Sequence, residues 1–497
     1  MRSAAPAHRR SLVVGASVFF ALVIGCWTAT TPPGSSPDED VHHIKAVAAA
    51  GGDIVGRPDP QRFSPAQRRH LVVRSTRFFE VPGRLVDANY GCNRFRPDAP
   101  ADCLRDGGQD GQVQRSSYVG TYPPFLYIPA GLSARLGSGP FSAVYFARLV
   151  FAALAATLLA RAVFVLAGRT SSHVLALVGL FAAATPMALF LAASLNVSGL
   201  HMVATLSFGA ALIAASRTPG GLRAGWRWTA FSAAITILSR PEGIVWVLLC
   251  VALFLLLRRE PDPGWYRRSH VLAIGTVVAL CTFAVGVWQV LYGSSAGFGL
   301  GEVSAGAADV FGHTRSLVDQ TVGVFGWVDT RLREGVYLGW AGLIGMLALV
   351  AFAVGTARER LAILALPIAA VAAAVGIQVV VLGPEHLTGQ LVQARYVMPC
   401  ALLLPLVAGE VIARWYRAGP RYLVGIILTA LGATHLYALY AHSRRSAVGA
   451  GGSRLFADAA WSPPGGWPLW ALVAAFAFAG LCVAVLTDRP EADPLRS

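Results

Sequence analysis

Three consecutive acids, Asp38, Glu39 and Asp40, follow the run Pro32-Pro33-Gly34-Ser35-Ser36-Pro37 and precede Val41-His42-His43. Prolines stop a preceding helix and hold the chain extended, so these carboxylates are presented at a helix mouth rather than inside it. A carboxylate so placed can remove a proton from a hydroxyl, and two neighbours can share a divalent cation such as Mg²⁺ or Mn²⁺. Asp38 and Glu39 are therefore candidates for a base and for cation ligands. The same residues suit plain capping: Asp38 fits the N-cap of a helix running through Val41 to Ala50, with Glu39 and Asp40 favourable in its first turn. Both readings stand on pattern alone.

Cationic and aromatic residues recur at comparable places. Arg148 falls one or two turns into an apolar run, where a guanidinium costs about 2.5–3.5 kcal/mol at a helix centre and has to face a polar cavity or reach outward. Arg240 with Glu242, Asn196 with Ser198, and Asp329-Thr330-Arg331-Leu332-Arg333-Glu334 lie at the ends of apolar runs. Arg240 to Glu242 also reads as an ordinary structural ion pair. In Glu385-His386-Leu387-Thr388-Gly389-Gln390-Leu391-Val392-Gln393-Ala394-Arg395-Tyr396-Val397-Met398-Pro399 an arginine opens an apolar helix. A lipid phosphate suits it, because a guanidinium fork matches phosphate geometry and helix N-terminal amides add donors. Headgroup contact, or pairing with a loop acid, is the competing reading. Tyr118, Tyr122 and Tyr127 bracket Pro123-Pro124; such tyrosines anchor at the headgroup level or support a sugar ring.

The elements that position these residues are membrane spans. With 55% hydrophobic and 13% charged residues, the chain is far from the roughly 25% charged content of a soluble domain. Apolar stretches long enough to cross a hydrocarbon core of about 30 Å recur throughout. They predict an all-α integral membrane protein of about 12 spans, near 11–30, 141–167, 172–192, 197–215, 226–240, 243–257, 270–291, 336–355, 361–382, 396–413, 421–441 and 467–486. The segments are a tail and first span (1–30), a large first extracytoplasmic loop or cap (31–140), a first membrane core (141–291), a loop (292–335), a second core (336–441), a linker (442–466) and a last span with its tail (467–497).

Counting alternately from a cytoplasmic N-terminus places short arginine-bearing loops inside, at 161–172, 217–227, 258–268, 358–360 and 414–421, with Arg489 in a cytoplasmic tail. The net charge of +15 is carried largely by these orienting arginines, so nucleic acid is not an expected partner. The first loop is long enough for a small folded cap with one or two helices lying on the membrane. The first apolar run lacks a small-x-small cleavage site and reads as a permanent span. Cys92 and Cys103 sit in the polar loop, where an oxidising compartment predicts a disulfide, while Cys26, Cys250, Cys281, Cys400 and Cys482 fall in apolar segments as small hydrophobes.

Taken in order, Pro-Asp-Glu with a following histidine after the first span, Tyr122-Pro123-Pro124 before the second, Gly326-Trp327-Val328-Asp329-Thr330 and Gln393-Ala394-Arg395-Tyr396-Val397-Met398-Pro399 resemble the bacterial DUF2142 family of multispanning membrane proteins. The resemblance runs over about residues 12 to 440. Where this chain has Ala394 and Asn196 the family often has Gly and Asp. That family is grouped by similarity with the GT-C glycosyltransferases.

The resemblance implies a GT-C-like fold in a bacterial plasma membrane, both termini cytoplasmic and the active site extracytoplasmic. It implies transfer of a sugar from a polyprenyl-phosphate donor to an envelope glycan or lipid acceptor, among membrane lipids. In such a site Asp38 serves as base, and Glu39 supports it or shares a cation. Arg395, Arg240 and Arg148 hold the lipid phosphate, with His42, Tyr122, Tyr396, Gln393 and Asp329 completing the binding set. Two other classes use similar residues: a transporter or flippase of lipid-linked glycan, and a noncatalytic membrane scaffold. Transport calls for ionisable groups at mid-membrane depth, whereas here they crowd the span ends.

Overall fold

The computed structural model describes residues 7–64, 67, 71–169, 173–217, 221–258, 264–294, 302–383, 389–416 and 421–487. Glu385, His386 and Arg489, singled out above, lie outside the described residues. The fold is a helical membrane bundle, and each of the twelve expected spans coincides with helix. Among the described residues nine helices are long and apolar enough to cross a membrane.

Helix α1 (Ala7–Thr30) ends where Pro32 and Pro33 deny it further backbone donors. It packs against α4 (Pro140–Arg169) and against the last helix of the chain, Gly466–Thr487. A Cβ added at Gly15 would stand 2.3 Å from the Cβ of Ala484. The first and last spans thus meet at backbone distance, as small residues permit in membranes. After α4 the expected span at 172–192 is formed by two helices, α5 (His173–Ala183) and α6 (Pro186–Ala192), bent by 66° at their junction. Pro186 cannot extend α5, and Thr185 caps α6 by accepting from Ala188 N–H at 3.3 Å.

Helix α7 (Val197–Ala215) is enclosed over its whole length and forms the axis of the bundle. The pair α8 (Trp226–Ser239) and α9 (Gly243–Leu257) is too short to pass that span criterion, and it turns at Arg240-Pro241-Glu242. Long helices α10 (Ser269–Tyr292), α13 (Glu334–Val354) and α14 (Ala357–Ile377), together with α15 (Leu403–Trp415), α16 (Arg421–Val448) and α17 (Gly466–Thr487), complete the bundle. The polar linker expected to begin at His442 begins later: α16 continues to Val448, and its last turns bury His442, Arg445 and Ser446. At the end of α7 remote from Asn196, Arg217 and Arg414 converge on Glu359, and Arg358 donates to the carbonyl of Arg258. The short arginine loops therefore share one end of the bundle.

The opposite end carries the cap, which has more than the helices expected of it. Helix α2 (Glu39–Ala50) packs on α3 (Tyr127–Ala134) and on an antiparallel pair, β1 (Arg77–Pro82) with β2 (Gln112–Ser117), in register Phe79 opposite Arg115. Contact between α2 and α3 depends on Gly131, where a Cβ would meet the carbonyl oxygen of Ala46 at 1.9 Å. Cys92 and Cys103 form a disulfide with Cα atoms 6.0 Å apart. From the second loop come α11 (Val303–Gly312), α12 (Thr314–Val322) and a second small pair, β3 (Val324–Phe325) with β4 (Thr330–Arg331).

Candidate functional site

The site is built around the turn between α1 and α2. Asp38 occupies the N-cap position of α2 with φ 63°, in the left-handed region, and its side chain makes no capping hydrogen bond. That conformation costs a residue with a Cβ roughly 1–2 kcal/mol, so the turn is held from outside. Asn196 holds it from one side, its Nδ2 donating to the carbonyl of Pro37 at 3.0 Å while its Oδ1 caps α7 by accepting from Ser198 N–H at 2.9 Å. Trp327 holds it from the other, Nε1 donating to the carbonyl of Gly34 at 3.0 Å.

Freed from capping, the Asp38 carboxylate turns toward the groups that chain folding brings to it. Arg395 Nη2 lies 2.6 Å from Oδ2, and the Tyr118 hydroxyl donates to Oδ1 at 2.5 Å. Burial pushes this carboxyl up, but the Arg395 guanidinium and the Tyr118 hydrogen bond outweigh it and hold the group below the ordinary carboxylate value. Asp38 is thus an ionised, largely enclosed carboxylate with 17% of its side chain still open.

Glu39, next in sequence, has a different fate. It forms a fully buried pair with Arg148, whose Nε lies 2.7 Å from Oε1 and whose Nη2 lies 2.5 Å from Oε2. Leu195 N–H and Gly34 N–H fill the remaining acceptor sites of Glu39, and the carbonyls of Thr28, Thr31 and Pro32 take the other donors of Arg148. Both residues were expected to face substrate; the structure encloses them instead, tying the end of α1 to α4 and to the start of α7. A cation shared by Asp38 and Glu39 does not fit this arrangement, because Glu39 has no lone pair to spare and a guanidinium already stands on Asp38 Oδ2. Among the described residues no group of three or more His, Cys, Asp or Glu side chains could hold a metal. The third acid, Asp40, pairs with Arg94 at 2.6 Å, and Arg94 lies 4.0 Å above the ring of Trp327.

Arg395 rides on a single 3₁₀ turn, Ala394–Tyr396, which closes when Tyr396 N–H donates to the carbonyl of Gln393 at 3.1 Å. Gln393 contributes this backbone acceptor. Ala394 N–H donates to Gln320 Oε1, fixing the turn to α12. The guanidinium is 6% exposed, yet among the described residues its Nε and Nη1 have no hydrogen-bond partner. Buried guanidinium donors without acceptors are costly. Tyr396 lies beneath two cations, with the guanidinium of Arg395 at 5.3 Å and that of Arg240 at 5.0 Å from its ring centroid.

Arg240 pairs with Glu242 at 2.5 Å, donates to Ser198 Oγ at 2.8 Å and lies 5.3 Å from the Tyr122 ring. His42, one turn into α2, bonds the Tyr127 hydroxyl through Nδ1 at 2.6 Å and stacks on that ring. Burial, opposed by Asp38, lowers the imidazole to about 3, so it is neutral. Its ring faces Tyr122 edge-on at 6.2 Å.

The structure thus gathers Asp38, Arg395, Arg240, Tyr122, Tyr396 and His42, and it leaves Glu39, Arg148 and Asp329 out. Asp329 pairs instead with Arg445 of α16 at 2.9 Å. Tyr118 and Asn196 join the site from outside the expected binding set. The Tyr118 to Tyr122 run carried a signal for the first, and an Asn opening an apolar helix carried one for the second. Chemically, an ionised carboxylate is paired with one guanidinium that keeps unfilled donors, and a second guanidinium shares the Tyr396 ring with the first.

The DUF2142 family, described as a predicted membrane protein, matches residues 20–404. Among solved structures, the crystal structure of ArnT from Cupriavidus metallidurans bound to undecaprenyl phosphate is similar, at 16% identity and a TM-score of 0.44, over 94% of this chain and 76% of that one. No curated protein matches the chain.

Proposed function

The chain belongs to the DUF2142 family of membrane proteins, and from that premise we propose that it is a GT-C-type glycosyltransferase using a polyprenyl-phosphate sugar. The sugar passes to a hydroxyl of an envelope glycan or lipid. One observation carries the reading: Asp38 is released from capping and paired at 2.6 Å with Arg395, a buried guanidinium whose Nε and Nη1 await acceptors. Phosphate oxygens match that need in charge and fork geometry.

In this reading the lipid phosphate enters beside Arg395 and Arg240 and fills the open donors. Competition for Arg395 loosens its hold on Asp38, which raises the basicity of the carboxylate where an acceptor hydroxyl arrives. The hydroxyl oxygen attacks the anomeric carbon and its proton passes to Asp38. The bond from that carbon to the phosphate oxygen breaks, and the electron pair leaves with the phosphate, whose charge the two guanidiniums stabilise. Phosphate leaves without protonation, so a second carboxylic acid of the kind hydrolases use is not required. Tyr122, Tyr396 and the neutral His42 wall the site. No step passes through a metal.

The same frame supports an orientation. The Cys92–Cys103 disulfide belongs to the cap at the site end, which suits the oxidising face of a bacterial plasma membrane. The arginine loops at the other end suit the cytoplasmic face, with both termini there. Binding of a polyprenyl phosphate to purified protein in neutral detergent tests the site: wild type binds, and Arg395→Ala weakens binding at least tenfold. Equal binding by the two proteins overturns the assignment.

A further inference from the structure

A second cationic feature lies outside this site. A cleft of about 340 Å³ opens between the β4 segment, the last turns of α16 and the residues that follow it. Arg331, Arg333, Arg444, Arg445 and Arg454 line it, and Asp329 is its one acidic residue. Arg445 is matched by Asp329 at 2.9 Å, and Arg331 by Asp319 at 2.6 Å. Among the described residues Arg444 donates to the carbonyls of Gly452 and Ser453 alone, and no carboxylate answers Arg333 or Arg454. Three arginines without a carboxylate partner among the described residues thus line one small cleft, and their mutual repulsion favours an anion between them.

The surroundings say where that anion comes from. Tyr440 lines the cleft and stacks on Phe456, which contacts Trp467, and Trp461 packs against Trp467 in turn. Such a row of aromatic rings sits at the headgroup level of a bilayer. Leu455, beside Arg454, is 91% exposed, an apolar contact suited to an acyl chain. Phosphate bound in the cleft would therefore lie level with the headgroups while its chains run along Leu455.

We propose that this cleft is a phosphate-ester site separate from the Asp38 site, filled by the headgroup of an anionic phospholipid. A water-soluble phosphate ester has the same recognition chemistry, and the test separates the two sources. The proposal does not depend on sugar transfer.

The experiment uses the full chain in neutral-detergent micelles, with fluorescent phosphatidylglycerol as probe, diacylglycerol as the phosphate-free control and glycerol 3-phosphate as the soluble competitor. The variants are Arg333→Ala with Arg454→Ala, both exposed in the folded chain, and Arg395→Ala at the other site. Saturable phosphatidylglycerol binding that falls at least tenfold in the double variant and not in Arg395→Ala supports the site. Resistance of that binding to glycerol 3-phosphate supports the lipid as source; full displacement at equal concentration supports the phosphate ester and overturns the lipid assignment. Binding equal in wild type and double variant, loss in Arg395→Ala alone, or equal binding of diacylglycerol overturns the proposal.

Discussion

The carboxylate of Asp38, at the start of the cap, and the guanidinium of Arg395, before the α15 segment, meet at 2.6 Å. Only the complete bundle can bring these two segments together. Among the described residues their pairing leaves Nε and Nη1 of the arginine without an acceptor, so the guanidinium keeps donors for an anion besides Asp38.

Arg395→Lys keeps the charge but loses the planar fork. Affinity for polyprenyl phosphate is expected to fall about tenfold, on the scale of one charge-assisted hydrogen bond, with little change in thermal stability. Titration of the lipid phosphate against both proteins checks this, and undiminished affinity would show that charge alone suffices.

Glu39 and Arg148 behave as framework. Glu39→Gln leaves a buried guanidinium uncompensated, a change that costs about 3–5 kcal/mol and lowers the melting temperature of the purified protein markedly. Asp38→Asn, at the more open carboxylate and in a left-handed turn that asparagine also tolerates, lowers the melting temperature less. If Glu39→Gln melted like wild type yet lost activity, Glu39 would belong to the chemistry.

Acid should weaken the cap before it protonates its carboxylates. His42 falls from an ordinary 6.5 to about 3 on burial, so between those values the unfolded chain binds more protons than the folded one. Its contribution to stability is complete above pH 6.5 and is lost as pH falls toward 3. His43, lowered by burial, acts with the same sign. Lowering the pH from 7 to about 5 should thus reduce the melting temperature, and His42→Gln should shrink that reduction. An identical drop in the variant would assign the acid sensitivity elsewhere.

The Cys92–Cys103 bridge closes a short loop, with a sequence separation of 11, and such a constraint is worth about 2–3 kcal/mol. Peptide mapping of protein taken from membranes without reductant should recover the two cysteines as one linked species. Recovery of both as free thiols would contradict the extracytoplasmic placement of the cap.

Spans were legible because an apolar run of sufficient length has few alternatives, and Val197–Ala215 lies where its residues alone place it. The break at Thr185-Pro186 is written in the sequence too, inside the single run at 172–192. Partnerships were not legible. Asp38 and Glu39 are adjacent and equally acidic, yet the left-handed turn at Asp38 sends one to Arg395 while the other is buried against Arg148. No local pattern encodes that choice, because each arginine arrives from a distant segment of the chain. Asp329 was grouped with the site by its motif, but β3 and β4 fold it back onto Arg445, on a stretch of α16 that reads as linker.

The most direct test is sugar transfer by purified protein in lipid, from a panel of polyprenyl-phosphate donors to envelope acceptors, comparing wild type with Asp38→Asn at equal folded yield. A base at Asp38 predicts transfer by wild type and a loss of at least about a hundredfold in the variant; equal rates in the two proteins would contradict it.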